Sequence, residues 1–405
     1  MVKRHINIII LLTVLSLIST EYPLNFNIEN TGNNCSISQL PEPENLQSIQ
    51  TLPNPFIFSS TNKEVKSLED WKCRRAEIKA QLEKYEIGLK PETAIVKSSL
   101  LDNILIVEIF DNNQTLTLNS SITIPNTEGP HPIIIGMNSA TGSLNSEYFS
   151  DFIQVPFFHD QVAIYSMTGI KNTNIGFYKL YPNLINNGDY SAWAWGVSRL
   201  IDGIGQISNK INADMSKIVV TGCSYAGKMA LFSGAFDERV TLTIAQESGG
   251  GGINAWRVAE ILGNVEKIEN TNYSWFMQYL KNNFNKKVDL LPYDHHELIG
   301  MIAPRAFLAL GNPDYEWLGD ESGYVSVLGA YEIWKAMGIN ERFGFDFSAG
   351  HMHCVASMTQ NQAVNEYVNK FIRGKSGKQI MNSNFKDVDV DKWIGNWGNY
   401  IISEN

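Results

Sequence analysis

The sequence has few of the features that nucleic-acid-binding, nucleotide-binding or zinc proteins need. Its 32 lysines and arginines are outnumbered by 42 aspartates and glutamates and form no basic cluster, which argues against a nucleic-acid partner. Histidines and cysteines do not recur at zinc-site spacings, and no glycine-rich loop is followed by Lys-Ser or Lys-Thr. We therefore expect no metal, no nucleotide cofactor and no nucleic-acid partner.

Long apolar runs are also missing, except near the N-terminus. Residues 1–20 combine a basic start, Lys3-Arg4-His5, with the short apolar run Ile6–Ile18. This pattern predicts a signal peptide, which is removed and takes no part in the fold. A membrane anchor is the alternative, but about thirteen residues are few for a span. We expect a secreted or periplasmic protein, in a compartment where disulfides persist.

No internal repeat or low-complexity linker divides the rest of the chain. We expect a loose N-terminal lead at residues 21–39 and a single domain at residues 40–405, with a short appendage at 384–401. Apolar segments typical of strands alternate with helical patterns, which predicts an α/β fold with a mostly parallel central sheet between two helical layers. The expected strands are 95–111, 114–124, 131–135, 218–220, 240–244, 306–310 and 344–347. The expected helices are 76–85, 193–204 and 360–373.

The segment Gly222–Lys228 reads Gly-Cys-Ser-Tyr-Ala-Gly-Lys between the apolar strand Ile218–Val220 and the helical pattern Met229–Phe236. A serine on a sharp strand-to-helix turn is typical of the nucleophile elbow of α/β-hydrolases, where the helix N-terminus favours a developing oxyanion. Ser224 is then the candidate nucleophile. The alternative is an ordinary turn, since the spacing is GxSxxG rather than GxSxG.

A serine nucleophile needs an imidazole base and an orienting acid, which in this fold follow it in the order acid, histidine. Glu247 follows the strand after the nucleophile strand, at its carboxyl end. His351 and His353 follow the late strand-like run Phe343–Phe347, so either is a candidate base. Three later carboxylates are alternative acids: Asp314, Glu316 and Asp320.

Cysteine is scarce, and two of the four cysteines flank the proposed catalytic residues. Cys223 immediately precedes Ser224, and Cys354 immediately follows His353. A bond between them would hold the nucleophile and base loops at reacting distance, which favours His353 over His351 as the base. Two buried free thiols are the alternative.

Together, these motifs resemble the glucuronoyl esterases of carbohydrate esterase family 15. The matching pieces are the elbow Gly222–Lys228, the acid segment Gln246–Gly249 with Trp256-Arg257, and the base loop Gly350–Cys354; the likeness extends from about Leu40 to Gly374. The resemblance implies an α/β-hydrolase that cleaves esters of (4-O-methyl-)glucuronic acid side chains of xylan through a serine, histidine and glutamate. We expect it to act as a monomer.

The resemblance also assigns individual residues. It implies Ser224, His353 and Glu247 as the catalytic set, and disulfides Cys223–Cys354 and Cys35–Cys73. A third disulfide of fungal members is absent, because Ala255 and Ser326 stand at its positions.

The sequence differs from the family pattern at one position next to the candidate nucleophile. In the family, an arginine follows the nucleophile, whereas this sequence has Tyr225 at that position. The backbone N–H of Tyr225 remains as an oxyanion-hole donor, but the arginine guanidinium is lost.

Only some of the residues that contact the sugar in the family have matching positions in this sequence. The resemblance implies that Lys228 and Trp317 contact the sugar; a solvated lysine and a buried packing tryptophan are the alternatives. The 258–275 segment is shortened, and Glu260 and Asn272 are only weak candidates for further family contacts.

The alternative functions are an acetyl or feruloyl xylan esterase of the same fold and a carbohydrate-binding relative without turnover. Retention of Ser224, Glu247 and His353 argues against the last.

Overall fold

The computed structural model describes residues 22–92 and 94–404, so the predicted signal peptide lies outside the described residues. The strands are β1 (Ile95–Leu101), β2 (Ile104–Asp111), β3 (Gln114–Ser121), β4 (His131–Met137), β5 (Ile153–Phe157), β6 (Ala213–Cys223), β7 (Leu242–Gln246), β8 (Ala306–Leu310), β9 (Phe343–Phe347) and β10 (Met381–Ser383). The α-helices are α1 (Leu68–Leu82), α2 (Gly176–Leu180), α3 (Asp189–Ile211), α4 (Tyr225–Phe236), α5 (Trp256–Ile261), α6 (Gln278–Phe284), α7 (His295–Gly300), α8 (Asp320–Ala336), α9 (Met358–Phe371) and α10 (Asp391–Ile394). Within these two ranges, no helix is both long and apolar enough to cross a membrane.

A seven-stranded sheet forms the centre of the molecule. Its strand order is β10-β9-β8-β7-β6-β4-β5, and every neighbouring pair is parallel. Every residue of β7, β8 and β9 is buried, as expected for parallel strands that are covered on both faces. The predicted α/β-hydrolase class with a central parallel sheet is confirmed.

The two faces of the sheet support two apolar cores. Along β4, Ile133 and Ile135 belong to the larger core, and Ile134 belongs to the smaller one, because neighbouring strand residues point to opposite faces. Residues of α3, α4 and α8 pack in the larger core, and α9 packs in the smaller. Helices therefore cover both faces of the sheet, and the carboxyl ends of its parallel strands all lie at the same edge.

A separate antiparallel sheet of β1, β2 and β3 packs against α3. Asp102 and Asn103 have positive φ angles and connect β1 to β2 in a tight turn, a conformation that Asp and Asn tolerate well. The single strand segment expected over 95–111 is therefore two strands.

Residues 22–39, expected as a loose lead, are hydrogen-bonded to the rest of the protein. The Tyr22 hydroxyl donates to the Ile402 carbonyl at 2.6 Å, and the Thr31 hydroxyl donates to Glu238 at 3.1 Å. At the other end of the chain, Trp393 and Trp397 are buried. The Trp397 indole donates to the Leu52 carbonyl at 3.2 Å, so the C-terminal appendage is packed.

Candidate active site

Ser224 lies in a strained turn between β6 and α4. Its φ of 61° and ψ of −129° lie outside the regions that non-glycine residues ordinarily occupy. A Cβ at Gly222 would lie 2.2 Å from the Ala226 carbonyl oxygen, and one at Gly227 would lie 2.3 Å from that of Gln246. The turn therefore requires glycine on both sides of the serine, as in a nucleophile elbow.

The carboxylate of Glu247 lies next to this elbow because β6 and β7 are paired. Cys223 is in register with Gln246, so Ser224 and Glu247 both follow paired strand ends. The Ser224 N–H donates to the Gln246 carbonyl at 3.0 Å. Glu247 also has a positive φ, 46°, which points to a second strained position at this edge of the sheet.

His353 completes the group from the loop after β9. Its Nδ1 lies 2.6 Å from Glu247 Oε2, and the Cys354 N–H donates to Glu247 Oε1 at 2.8 Å. Burial alone would raise the pKa of Glu247, but hydrogen bonds from His353, Asn312 and Cys354 outweigh it and hold the pKa below its ordinary value. Glu247 is therefore ionised near neutral pH and can orient the imidazole.

Two histidines compete for the role of base, and their surroundings differ. His351 Nδ1 lies 3.7 Å from Glu247 Oε1, and its ring nitrogens face the carbonyls of Met352 and Gly311 at 2.9 and 3.2 Å. Its side chain is 7% exposed, whereas that of His353 is 36% exposed. His353 is thus both paired with the carboxylate and accessible to substrate.

The alternative acids do not occupy this position. Asp314 and Glu316 are exposed, and the buried Asp320 accepts the Asn312 N–H at 2.5 Å. Burial, together with the nearby charge of Glu247, raises the pKa of Asp320 to about 7. The carboxylate that His353 contacts is that of Glu247.

Disulfides join Cys223 to Cys354 and Cys35 to Cys73, as the family resemblance implies. The first links the residue before Ser224 to the residue after His353, so it ties the two loops together. Glu247 and His353 lie close to its sulfur atoms, in a group of residue types that often binds metals. Because the sulfurs are bonded to each other, they cannot act as thiolate ligands.

Tyr225 begins α4, and its side chain is held by polar and aromatic neighbours. Asn138 Nδ2 donates to the phenol oxygen at 2.6 Å, and His159 Nε2 lies 3.3 Å from it. The ring stacks on Trp275 with centroids 5.9 Å apart and contacts Tyr165 at 5.0 Å. As the first residue of a helix, Tyr225 offers a backbone N–H without an intrahelical acceptor.

Lys228 is buried rather than solvated. Its Nζ lies 2.5 Å from Glu266 Oε2 and 5.2 Å from the centre of the Trp275 ring. The half-buried Trp317 belongs to the neighbouring loop, where its carbonyl accepts the Glu266 N–H at 3.1 Å. Glu266 therefore joins these three residues into one group, through its carboxylate to the Lys228 ammonium and through its backbone N–H to the Trp317 carbonyl.

Comparison with known proteins identifies the family. The model of the family "Glucuronyl esterase, fungi" matches residues 107–338, more than half of the chain. A 4-O-methyl-glucuronoyl methylesterase of Phanerochaete carnosa is 36% identical over 375 residues, which cover 87% of this chain and 89% of that protein. The chain belongs to the glucuronoyl esterase family.

Solved glucuronoyl esterases have the same fold. The catalytic domain of the Hypocrea jecorina enzyme superposes with a TM-score of 0.83 at 31% identity, covering 90% of this chain and 100% of that one. A serine-to-alanine mutant of the Sporotrichum thermophile enzyme, in complex with methyl 4-O-methyl-β-D-glucopyranuronate, superposes with a TM-score of 0.82 at 32% identity. That match covers 90% of this chain and 98% of that one.

Two residues at the site of this glucuronoyl esterase, Glu266 and Asn312, were not predicted from its sequence. Glu266, rather than Glu260 or Asn272, pairs with Lys228, while the Asn272 side chain donates to the Ser166 carbonyl at 3.0 Å. Asn312 donates to Glu247 at 3.1 Å. Glu266 lies in the shortened 258–275 segment, where the resemblance to the family fixes no position, and the amide of Asn312 does not titrate and so carries no signal of acid or base chemistry.

Proposed function

We propose that this chain hydrolyses esters of glucuronic acid and 4-O-methyl-glucuronic acid side chains of xylan, releasing an alcohol. The observation that carries the proposal is the 2.6 Å contact between His353 Nδ1 and the buried Glu247, in a loop tied by a disulfide to the Ser224 elbow. Family membership supports it, because relatives carry the name 4-O-methyl-glucuronoyl methylesterase.

In the proposed mechanism, Glu247 holds the His353 ring so that Nε2 accepts the proton of the Ser224 hydroxyl. The serine oxygen attacks the uronoyl carbonyl, and the tetrahedral oxyanion is stabilised by backbone N–H groups at the start of α4, including that of Tyr225. His353 then protonates the departing alcohol. Water, deprotonated by His353, cleaves the acyl-enzyme and releases the uronic acid.

The group formed by Lys228, Glu266 and Trp317 is the proposed sugar site. Lys228 supplies hydrogen-bond donors and Glu266 supplies acceptor oxygens, a combination that suits neighbouring sugar hydroxyls. Because the ammonium is already paired with a carboxylate, the site carries little net charge toward a neutral ester. Trp317 presents an aromatic surface suited to a pyranose ring.

We further propose that the mature protein is exported. Its two disulfides are stable in oxidising compartments and rare in the cytosol, in agreement with the predicted signal peptide.

Product analysis tests the function. The protein is incubated separately with methyl or benzyl 4-O-methyl-glucuronate, acetylated xylan and feruloylated xylan, and the acids released are quantified. Uronic acid as the main product is expected. Release of acetate or ferulate instead would identify the alternative esterase, for which the neutral Tyr225 in place of arginine is the favouring observation. Ester binding without turnover would identify a carbohydrate-binding relative.

A further inference from the structure

Asn312 lies just beyond the carboxyl end of β8 and is fully buried. Its Nδ2 donates to Glu247 Oε2 at 3.1 Å and to the His351 carbonyl at 2.7 Å. Its Oδ1 accepts the backbone N–H of His351 at 3.2 Å. One side chain therefore connects the carboxylate to the loop that carries both histidines.

The hydrogen bonds of the Glu247 carboxylate explain why this connection matters. Oε1 accepts the Cys354 N–H at 2.8 Å and the Gln246 side-chain N–H at the longer distance of 3.5 Å, and Oε2 accepts from both His353 and Asn312. The donors from His353 and Cys354 belong to the loop whose position Glu247 has to fix. Gln246 belongs to the same strand as Glu247, whereas Asn312 follows the neighbouring strand β8 and donates at 3.1 Å. Its hydrogen bond therefore fixes the rotation of the carboxylate relative to a different strand.

Asn312 is itself fixed by its backbone. Its N–H donates to Asp320 Oδ2 at 2.5 Å, which joins the end of β8 to the start of α8. Asp320 is buried, so this anchor is not weakened by water.

We propose that Asn312 is a positioning residue that sets the orientation of the Glu247–His353 pair and the register of the histidine loop. It does not contact the substrate, and it acts through the carboxylate and the loop backbone. The proposal rests on the proposed esterase function, and one of its tests requires no turnover.

Asn312→Ala removes one of the two donors to Glu247 Oε2 and both contacts to the His351 backbone. We expect kcat on a glucuronate ester to fall about 10-fold, with KM changed less than about twofold, because the loss concerns the oriented imidazole and not the sugar contacts. The downfield proton NMR resonance of the His353–Glu247 hydrogen bond, measured without substrate, should shift or broaden.

Asn312→Asp gives a second test with nearly unchanged shape. The titratable groups around position 312 are Glu247, Asp314, Asp320, His351 and His353. An ionised aspartate would face the Glu247 carboxylate and the His351 carbonyl, whereas a protonated one can donate a hydrogen bond. The rate relative to wild type should therefore recover as the pH falls, which loss of packing alone would not produce.

Asn187→Ala is the matched control. Asn187 is also buried and donates to the Leu89 carbonyl at 2.7 Å and to Ser191 at 3.2 Å. Its replacement should reduce stability but leave the NMR resonance unchanged and kcat within about twofold of wild type.

If Asn312→Ala behaves like this control, with resonance and kcat retained, the proposal is wrong. Should Asn312→Ala fail to fold, the pH dependence of Asn312→Asp decides, and a constant rate ratio would overturn the proposal. If the wild type hydrolyses no glucuronate ester, the proposed function fails, and the NMR comparison still decides the role of Asn312.

Discussion

Removal of the Cys223–Cys354 disulfide tests whether this bond holds the nucleophile and base loops in place. The double variant Cys223→Ala/Cys354→Ala leaves Ser224, His353 and Glu247 unchanged, and it keeps the Cys354 backbone N–H that donates to Glu247. The matched variant is Cys35→Ala/Cys73→Ala, which removes a disulfide between the N-terminal segment and α1.

The sequence separations set the expected losses of stability. The active-site bond spans a separation of 131 residues, and the other spans 38. In the chain-entropy relation these loops correspond to about 5 and about 4 kcal/mol at 25 °C, and measured losses are commonly about 2–4 kcal/mol. The two variants should therefore differ by only about 1 kcal/mol in the free energy of unfolding, because the dependence on loop length is logarithmic.

The two variants should differ clearly in kcat, although they differ little in the free energy of unfolding. We expect a loss of about 10-fold or more in kcat for Cys223→Ala/Cys354→Ala and a change of less than about twofold for Cys35→Ala/Cys73→Ala. Urea denaturation gives the stabilities, and steady-state hydrolysis of methyl 4-O-methyl-glucuronate gives kcat. Equal kcat values for the two variants at a temperature where both are folded would refute the positioning role of the active-site disulfide.

Three further predictions concern single side chains. Tyr225→Arg should raise the acylation rate constant about 10-fold in single-turnover experiments, since a guanidinium can add a charge-assisted bond to the oxyanion; no gain would assign Tyr225 to substrate choice instead. His353→Ala should lower kcat about 1,000-fold and His351→Ala less than about 10-fold, because general-base catalysis contributes on this scale; the reverse order would exchange their roles. Asp320 has a pKa raised by burial to about 7, so the contribution of this group to the free energy of unfolding should fall as the pH rises from about 4 to about 7. Asp320→Asn should remove this contribution, and its effect on the free energy of unfolding should be about 4 kcal/mol more favourable at pH 8 than at pH 4 in denaturation experiments, whereas an equal effect at both pH values would contradict the shifted pKa.

The sequence was sufficient for the elements whose pattern is local. The apolar strand before Ser224 and the small residues around it predicted the elbow, because only small residues fit the close packing of this turn. The strand β5 and the helix α8 were not predicted. β5 is a short apolar run that contains Pro156, and the hydrophobic pattern of α8 is interrupted by buried Ser322 and Ser326.

The polar contacts of the site depend on tertiary structure that one sequence does not reveal. Glu266 meets Lys228 across the fold, 38 positions along the chain, and Asn312 meets Glu247 at a separation of 65. Such pairs arise from the order of strands in the sheet, which places the residues after β7, β8 and β9 at one edge. The surroundings of Tyr225 also depend on tertiary structure: Asn138, Trp275 and Tyr165 surround its phenol and accommodate a tyrosine at this position.

Release of 4-O-methyl-glucuronic acid from its methyl ester, compared between the wild type and Ser224→Ala, tests the central claim most directly. We predict rapid release by the wild type and loss of turnover in Ser224→Ala, with binding of the intact ester retained because the group formed by Lys228, Glu266 and Trp317 is unchanged. Undiminished hydrolysis by Ser224→Ala, or no hydrolysis of this ester by the folded wild type, would contradict the account.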